Sequence, residues 1–309
     1  MVFENAVIVA SQVLILFLLI GIGYLTSKMR LINEVGTQQM TNLLLIIVTP
    51  CIIISSFQMP FNTSLLWGIL ISSASALATH ALGAVIAKLI FRRYPDARRK
   101  VFEFAVVFSN CGFMCIPLLN AVLGQQGVFY GSFYIAVFNI AQWTYGIILM
   151  ADNRREISIR RALINPGTIA LLVALPLFLA GISLPPILST VIDSLAALNT
   201  PLAMIIIGSQ MAAANLRSLF RDRQVFLAVA FRLLVIPGLM MIPLSLIPMS
   251  REVALACLIP AAAPTAAVTA LFATRYRQDA GLASQIIALS TLASIISIPL
   301  LIMVFDFFA

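Results

Sequence analysis

The sequence predicts an all-α polytopic membrane protein in which ten transmembrane helices form two five-helix halves of inverted orientation. Three observations predict this fold class. Of the 309 residues, 61% are apolar and 10% are charged, a balance that a soluble globular chain of this size does not show. Long apolar runs recur along the whole chain, and the basic residues cluster in alternate connections between those runs.

Ten apolar runs are long enough to cross a hydrocarbon core of about 30 Å as helices. Backbone groups inside lipid must be satisfied within the segment, which favours helices, and the residue alternation of a membrane barrel is absent from the sequence. The first run lacks a leading positive cluster and a small-residue cleavage site, so we expect a retained helix. The predicted spans are 5–27, 37–58, 65–91, 101–123, 127–150, 166–184, 188–213, 224–247, 251–274 and 280–305.

The basic residues follow the odd-numbered spans. Sixteen of the 19 lysines and arginines lie there; the even-numbered connections and the termini hold one, Arg251, while Lys88 and Arg232 lie within spans. The positive-inside rule therefore places the odd connections in the cytoplasm and both termini outside the plasma (inner) membrane of a bacterium. This placement explains the net charge of +8 without nucleic-acid binding. The sixteen are Lys28, Arg30, Arg92, Arg93, Arg98, Arg99, Lys100, Arg154, Arg155, Arg160, Arg161, Arg217, Arg221, Arg223, Arg275 and Arg277.

The odd number of spans per half has a consequence for symmetry. Span 1 runs from outside to inside, so after five spans the second half starts from the cytoplasm. Residues 1–150 and 151–309 are then predicted to be a first five-helix repeat and a second, inverted one, an architecture common in secondary transporters. Thr49-Pro50 in span 2 and Thr200-Pro201 in span 7 occupy similar positions in their spans, which agrees with a repeat.

Spans 4 and 9 carry residues that interrupt helices near mid-depth. Asn110, Gly112 and Pro117 fall close together in span 4, and Pro260 and Pro264 lie in span 9. Pro removes a backbone donor and Gly loosens the backbone, so both spans are expected to break. Two breaks at corresponding positions of the halves predict a binding site, whereas proline kinks that only shape packing are the alternative.

Four segments along the chain resemble the auxin efflux carrier family, which includes bacterial permeases and the plant PIN proteins. The order of these segments matches over essentially the whole chain, and the absence of a long central loop resembles the compact bacterial type. The segments are Ser109-Asn110-Cys111-Gly112-Phe113-Met114-Cys115-Ile116-Pro117-Leu118-Leu119 with Gly124, Asn165-Pro166-Gly167-Thr168, Pro264 with Phe272-Ala273-Thr274-Arg275-Tyr276, and Ser297-Ile298-Pro299-Leu300.

The resemblance implies a specific site. It implies that helices 4 and 9 cross at the midplane, that Asn110 holds a substrate carboxylate, and that Pro264 is the crossover proline of helix 9. It also implies a contribution from Asn139, four residues before Trp143, and a homodimer. Ser109 stands where plant members have proline, so the break in helix 4 is expected to be softer here.

The chemistry of broken helices favours the same residues independently. A half-helix that starts at a break presents unpaired N–H groups and the positive end of its dipole, which suits an anion. Asn110 adds an amide donor without the desolvation cost of a buried charge. Asn139, Gln142 and Tyr145 share a helical face, for which interhelical hydrogen bonding is the alternative role. The expected N–H donors are those of Cys111, Gly112, Phe113, Thr265 and Ala266.

Ionisable residues inside spans are functional candidates by default. His80 is a candidate proton relay, with a hydrogen-bonded structural role as the alternative, and Arg232 either attracts anions on the inward route or snorkels to the interface. Glu103 is expected to pair with Arg99 at the rim. With no acidic pair at mid-depth, a carboxylate-built cation site is not supported, although protons or Na⁺ stay open as coupling ions.

The sequence favours a carrier of small organic anions in the lipid bilayer, working by alternating access. An anion channel or a membrane sensor without transport is the alternative. An enzyme is disfavoured because intramembrane hydrolases and transferases need paired acids, a Ser/His pair or metal ligands, and the chain has one histidine. We expect no metal and no cofactor. The four cysteines are expected to be packing residues within spans: Cys51, Cys111, Cys115 and Cys257.

Overall fold

A computed structural model of the chain describes residues 2–151, 164–213 and 222–308. Arg154, Arg155, Arg160, Arg161, Arg217 and Arg221 lie outside these ranges. The described residues form fifteen helices and no strand, which confirms the all-α prediction. The helices are α1 (Val2–Lys28), α2 (Glu34–Leu43), α3 (Thr49–Ser56), α4 (Ser64–Phe91), α5 (Asp96–Val107), α6 (Ile116–Ala141), α7 (Ile147–Met150), α8 (Pro166–Leu179), α9 (Pro186–Ala196), α10 (Asn199–Ala213), α11 (Arg223–Ala230), α12 (Ile236–Leu246), α13 (Arg251–Ala262), α14 (Val268–Arg275) and α15 (Ala280–Phe308).

Short π-helical turns join several of these helices into longer rods. They connect α2 to α3, α6 to α7 and α11 to α12, and a fourth precedes α6; their bounds are Leu44–Val48, Gln142–Gly146, Phe231–Val235 and Cys111–Cys115. Within the described ranges, six helical stretches are long and apolar enough to cross a membrane. These stretches are Glu34–Ser56, Leu65–Phe91, Phe113–Met150, Pro186–Ala212, Arg223–Leu246 and Ala280–Phe308, with shorter apolar helices at Leu14–Lys28 and Pro166–Leu179.

Apolar side chains cover the outside of the helix bundle as well as its interior. Leu18, Leu77 and Ile296 are 61%, 62% and 74% exposed, while Phe91, Phe104 and Phe129 are fully buried. Exposed leucines and isoleucines on several different helices suit a lipid environment rather than water. The chain is therefore a multi-pass membrane protein.

The stretch Phe113–Met150 is two helices rather than one. At Gly124 the backbone has φ +62° and ψ −148°, which are not helical angles. A Cβ placed on Gly131 would overlap the side chain of Leu119, although twelve residues of straight helix would separate them by about 18 Å. The chain therefore reverses at Gly124, between the predicted spans 4 and 5. Glycine suits this position because L-residues with a side chain rarely adopt such a φ.

Polar contacts join the connections that follow odd-numbered spans. Arg98 forms an ion pair with Asp222, and its Nε lies 3.9 Å from Asp279. Gln278 donates a 2.9 Å hydrogen bond to the carbonyl of Met150. These residues come from the connections after predicted spans 3, 5, 7 and 9, which therefore meet at one end of the molecule.

A second set of polar contacts joins even-numbered connections and the C-terminal end. Arg251 binds Asp306 through two hydrogen bonds of 2.8 and 2.7 Å. The backbone N–H of Leu184 donates to Gln58 Oε1 at 2.9 Å. Odd connections thus contact odd ones and even connections contact even ones, as expected when the chain passes from one end to the other at each span.

Helices α1 and α10 pack backbone to backbone. A Cβ on Gly23 would overlap the carbonyl oxygen of Ile205, and one on Gly208 would overlap the carbonyl oxygen of Ile20. Small residues at such a crossing let two helices approach closely, a common basis of association in membranes. The α1–α10 pair therefore depends on the two glycines.

Replacement of Gly23 tests this contact. Gly23→Ala should lower stability by about 1–3 kcal/mol, because the added methyl group meets backbone that cannot rotate away. Gly21→Ala is the matched control, since nothing lies within 4 Å of a Cβ there. Thermal unfolding of the purified protein in detergent should show a lower melting temperature for Gly23→Ala alone. Equal melting of the two variants would contradict the close packing.

Candidate functional site

The two predicted breaks meet each other in the structure. Helix α5 ends at Val107 and α13 at Ala262, and the residues that follow are extended. Ser109 and Thr265 form an isolated antiparallel bridge. The N–H of Asn110 donates to the carbonyl of Pro264 at 2.7 Å, and the N–H of Ala266 donates to that of Phe108 at 2.9 Å.

This pairing satisfies backbone groups that a helix end leaves without intrahelical partners. Unpaired backbone groups are costly in a buried, apolar setting, and a short two-segment ladder supplies partners without water. Ser109 forms part of the bridge, and the helix is interrupted at this serine although no proline stands there.

Thr265 is held by two hydrogen bonds. It is fully buried, its hydroxyl donates to the carbonyl of Ala105 at 3.1 Å, and its N–H donates to Ser290 Oγ at 3.1 Å. The Ser290 hydroxyl in turn donates to the carbonyl of Ile287. The predicted anion donors Thr265 and Ala266 therefore both have protein acceptors in this conformation.

Asn110 is the polar group at the break that lacks a protein partner. The residue is 4% exposed and precedes the π turn Cys111–Cys115, which continues into α6. Its side-chain amide has no hydrogen-bond partner among the described residues, and its atoms keep some accessible surface, unlike the fully enclosed unpartnered atoms such as His80 Nε2. The N–H of Cys111 donates to the carbonyl of Ser109 at 2.8 Å, so this predicted anion donor also has a protein acceptor in this conformation.

Asn139 lies on a helix that packs against the segment leading to Asn110. The rings of Phe138 and Phe108 are 6.0 Å apart in an edge-on arrangement. Asn139 is 7% exposed, and its one hydrogen bond, Nδ2 to Thr168 Oγ1, is long at 3.5 Å. Two buried asparagines, Asn110 and Asn139, therefore lie next to Phe108 and Phe138. The side-chain amide of Asn139 has one long hydrogen bond within the described ranges, and that of Asn110 has none.

Arg232 is buried completely, so it does not snorkel to the interface. Its five N–H groups reach five backbone carbonyls. Nε donates to Ala263 at 3.0 Å, Nη1 to Val106 at 3.0 Å and Val107 at 3.4 Å, and Nη2 to Pro260 at 3.5 Å and, more closely, to Ala261. The sequence analysis predicted that this guanidinium could contact an anion on the inward route. In this conformation, the N–H groups that such a contact would need already donate to backbone carbonyls.

His80 packs beside the break. Its ring lies 5.6 Å from the ring of Phe108 and 5.8 Å from that of Phe138. Nδ1 lies 2.6 Å from the carbonyl of Ala76, so this nitrogen carries the hydrogen, and no partner in the described ranges reaches the buried Nε2. The structural hydrogen bond is present; the role as proton relay stays a prediction.

The remaining polar predictions are structural contacts. Glu103 lies 3.7 Å from Arg99, so the rim ion pair is confirmed. The cysteines are unpaired, and Cys111, Cys115 and Cys257 are buried as packing residues. Within the described ranges, no group of three His, Cys, Asp or Glu residues could hold a metal ion.

Two features escaped the sequence reasoning. Ser290 accepts from the N–H of Thr265 at the break. A cavity of about 390 Å³ lies beside Ser55, Gln125 and Asp193, where Ser55 Oγ donates to Asp193 Oδ1 at 2.6 Å and Gln125 donates to the Ser55 carbonyl at 2.7 Å. Isolated serines and glutamines carry no spacing signal, so only the folded arrangement brings them together.

Apolar helices interrupted in mid-course, paired with each other and lined by buried amides, define a membrane transporter. The family described as membrane transport protein matches residues 8–160 and 153–302, and the chain belongs to that family. The resemblance to the auxin efflux carriers is thereby confirmed. An uncharacterized transporter of Methanothermobacter thermautotrophicus is 25% identical over 305 residues, which are 97% of this chain and 98% of that protein.

Replacement of Ser290 tests the anchoring of Thr265. Ser290→Ala should lower the free energy of unfolding by about 1–3 kcal/mol, because the buried Thr265 N–H loses its acceptor. Ser284→Ala on the same helix is the control, since its exposed hydroxyl bonds only to the carbonyl of Ala280 one turn back. Thermal unfolding compares them; a Ser290→Ala variant as stable as Ser284→Ala would show that this anchor contributes nothing.

Proposed function

We propose that the protein is a carrier of small organic anions, above all carboxylates, that works by alternating access. The substrate binds at mid-depth, where spans 4 and 9 cross. The chain has ten spans, with residues 1–150 and 151–309 as inverted halves. The pairing of Asn110 with Pro264 and of Ala266 with Phe108 supports the crossing, since it joins the breaks of one half to those of the other.

The observation that carries the proposal is the unpartnered amide of Asn110. A buried amide without a protein partner is costly unless a ligand or water supplies one. Its Nδ2 is a donor. The N–H groups of Gly112 and Phe113, at the start of the following half-helix, would be further donors to an anion bound there. A carboxylate satisfies several such donors at once. Cys111 and Thr265 would shape the site through backbone bonds, and Asn139 would add a second amide.

The positive charge of Arg232 favours an anion at this place as well. Val107 accepts from the guanidinium and precedes Asn110 by three residues, so charge and amide are at most roughly 15 Å apart. In buried surroundings of low effective dielectric, a charge attracts an anion over that distance. A cationic substrate would be repelled.

Two groups of helices would move against each other. The first contains α1, α2, α3, α8, α9 and α10, joined by contacts such as the α1–α10 crossing and the Gln58–Leu184 bond. The second contains the interrupted helices with α4, α6, α12 and α15. Arg232 and Thr265 join the interrupted helices to each other and to α15, and Ser72 joins α4 to α6 by donating to the carbonyl of Tyr130 at 2.7 Å. Few polar bonds link the groups, among them the long Asn139–Thr168 contact.

The odd-numbered connections would face the cytoplasm, with both termini on the outer side of a bacterial inner membrane. The sixteen basic residues after odd spans favour this orientation. The contacts of Arg98 with Asp222 and Asp279, which keep odd connections together, support the same alternation.

Asn110→Ala tests the substrate site. The variant should fold normally and lose roughly 10–100-fold in affinity for the preferred carboxylate, because a hydrogen bond from the side-chain amide to a charged group is removed. The ligand is first found with a thermal-shift panel of mono- and dicarboxylates on purified protein, since a bound ligand raises the melting temperature. Asn42→Ala, at an exposed helix position, is the control. Equal affinity of both variants would remove Asn110 from the site.

Exchange across a membrane separates a carrier from a channel or a sensor. Proteoliposomes loaded with unlabelled carboxylate should accumulate external labelled carboxylate transiently, because a carrier couples inward to outward movement. A channel would give flux without this counterflow, and a sensor would give neither. Absence of counterflow with a ligand that binds would overturn alternating access.

A further inference from the structure

The two interrupted helices end on a common cluster of carbonyl oxygens. The cluster comprises the carbonyls of Val106 and Val107, at the end of α5, and of Pro260, Ala261 and Ala263, at the end of α13. All five point at one place inside the protein. Arg232, which comes from a third element between α11 and α12, fills that place with its guanidinium.

Such a cluster attracts cations for a general reason. The last carbonyls of a helix have no intrahelical donor and form the negative end of its dipole. Two helix ends brought together double this effect. In transporters with discontinuous helices, unwound carbonyls and half-helix C-termini are the groups that coordinate Na⁺ or H⁺.

The guanidinium matches the cluster in number and in charge. Arg has five N–H donors in a planar fork and stays charged under all ordinary conditions. The five donors of Arg232 have five carbonyl partners, and the side chain is fully buried. No carboxylate in the described ranges forms an ion pair with it. Its charge is therefore stabilised by carbonyls and helix ends and remains as a fixed positive charge near Asn110.

We propose that Arg232 is the resident cation of this carrier. Its guanidinium occupies the position where a bound alkali cation would otherwise hold the two half-helix ends together, and it supplies the counter-charge for the anion. The carrier therefore binds its substrate without Na⁺ or K⁺ at the crossover. The statement about the substrate rests on the proposed function, whereas the statement about the carbonyl cluster does not.

The first test uses the protein without substrate. Arg232→Met keeps an unbranched stem that reaches about as far as Nε of the arginine, and it removes the guanidinium with its charge and all five donors. Its melting temperature should fall by on the order of 5 °C, because buried carbonyls lose their partners. Millimolar methylguanidinium chloride or sodium chloride should recover a large part of that loss. Choline chloride at equal ionic strength should not, because its quaternary ammonium group has no N–H donors and is too large for the cluster.

Two variants control for general destabilisation. Met240→Ala opens a cavity at a buried position of α12 away from the cluster, so it should melt lower without any selective response to methylguanidinium or sodium. Arg232→Lys retains a cation with three donors and should melt between wild type and Arg232→Met. The wild-type protein should melt within about 1 °C in sodium, potassium and choline chloride of equal ionic strength.

Two results would overturn the proposal. One is an Arg232→Met variant that melts like wild type or whose loss is recovered equally by every salt. The other, which needs no variant to fold, is a wild-type protein whose affinity for its carboxylate rises at least tenfold when choline is replaced by sodium. If no carboxylate binds but methylguanidinium rescues Arg232→Met selectively, the proposed function fails while the assignment of Arg232 stands.

Discussion

The structure depends on how two helices are allowed to stop inside a membrane. A helix that ends in an apolar interior leaves carbonyls on one side of the break and N–H groups on the other. Here the extended residues after α5 and α13 pair with each other, and the Arg232 guanidinium takes the remaining carbonyls. The carbonyl sides of both breaks are therefore closed by the protein. The side-chain amide of Asn110 has no protein partner among the described residues, which is why we propose that an anion binds there.

Much of this arrangement was accessible from the sequence. Apolar runs give the helices to within a few residues because lipid imposes length and polarity on each span, and Asn110 and Pro264 stand at the breaks as predicted. The start of α8 also follows from local sequence: Asn165 caps α8 by accepting from the Gly167 N–H at 3.0 Å, with Pro166 in the first turn.

What the sequence could not give is the partner of each polar group. Arg232 was a residue in a span, equally compatible with snorkelling, and only its distance to carbonyls of two other helices shows why it is buried. Thr265 looked like a donor at a helix start until Ser290, 25 residues later, was found to accept from it. Spacing along one helix predicts neighbours on that helix, whereas these pairs arise from helices brought together by packing.

The reversal at Gly124 has a mechanical consequence. It joins the half-helix that begins beside Asn110 directly to the helix that bears Asn139, and Leu119 packs into the space beside Gly131 across the bend. The two asparagines thus belong to a single hairpin whose arms are interlocked. If this hairpin turns within the bundle, both amides turn with it at constant separation. A bound molecule would then move together with the hairpin, and its access to either side would change at the borders of the site rather than within it.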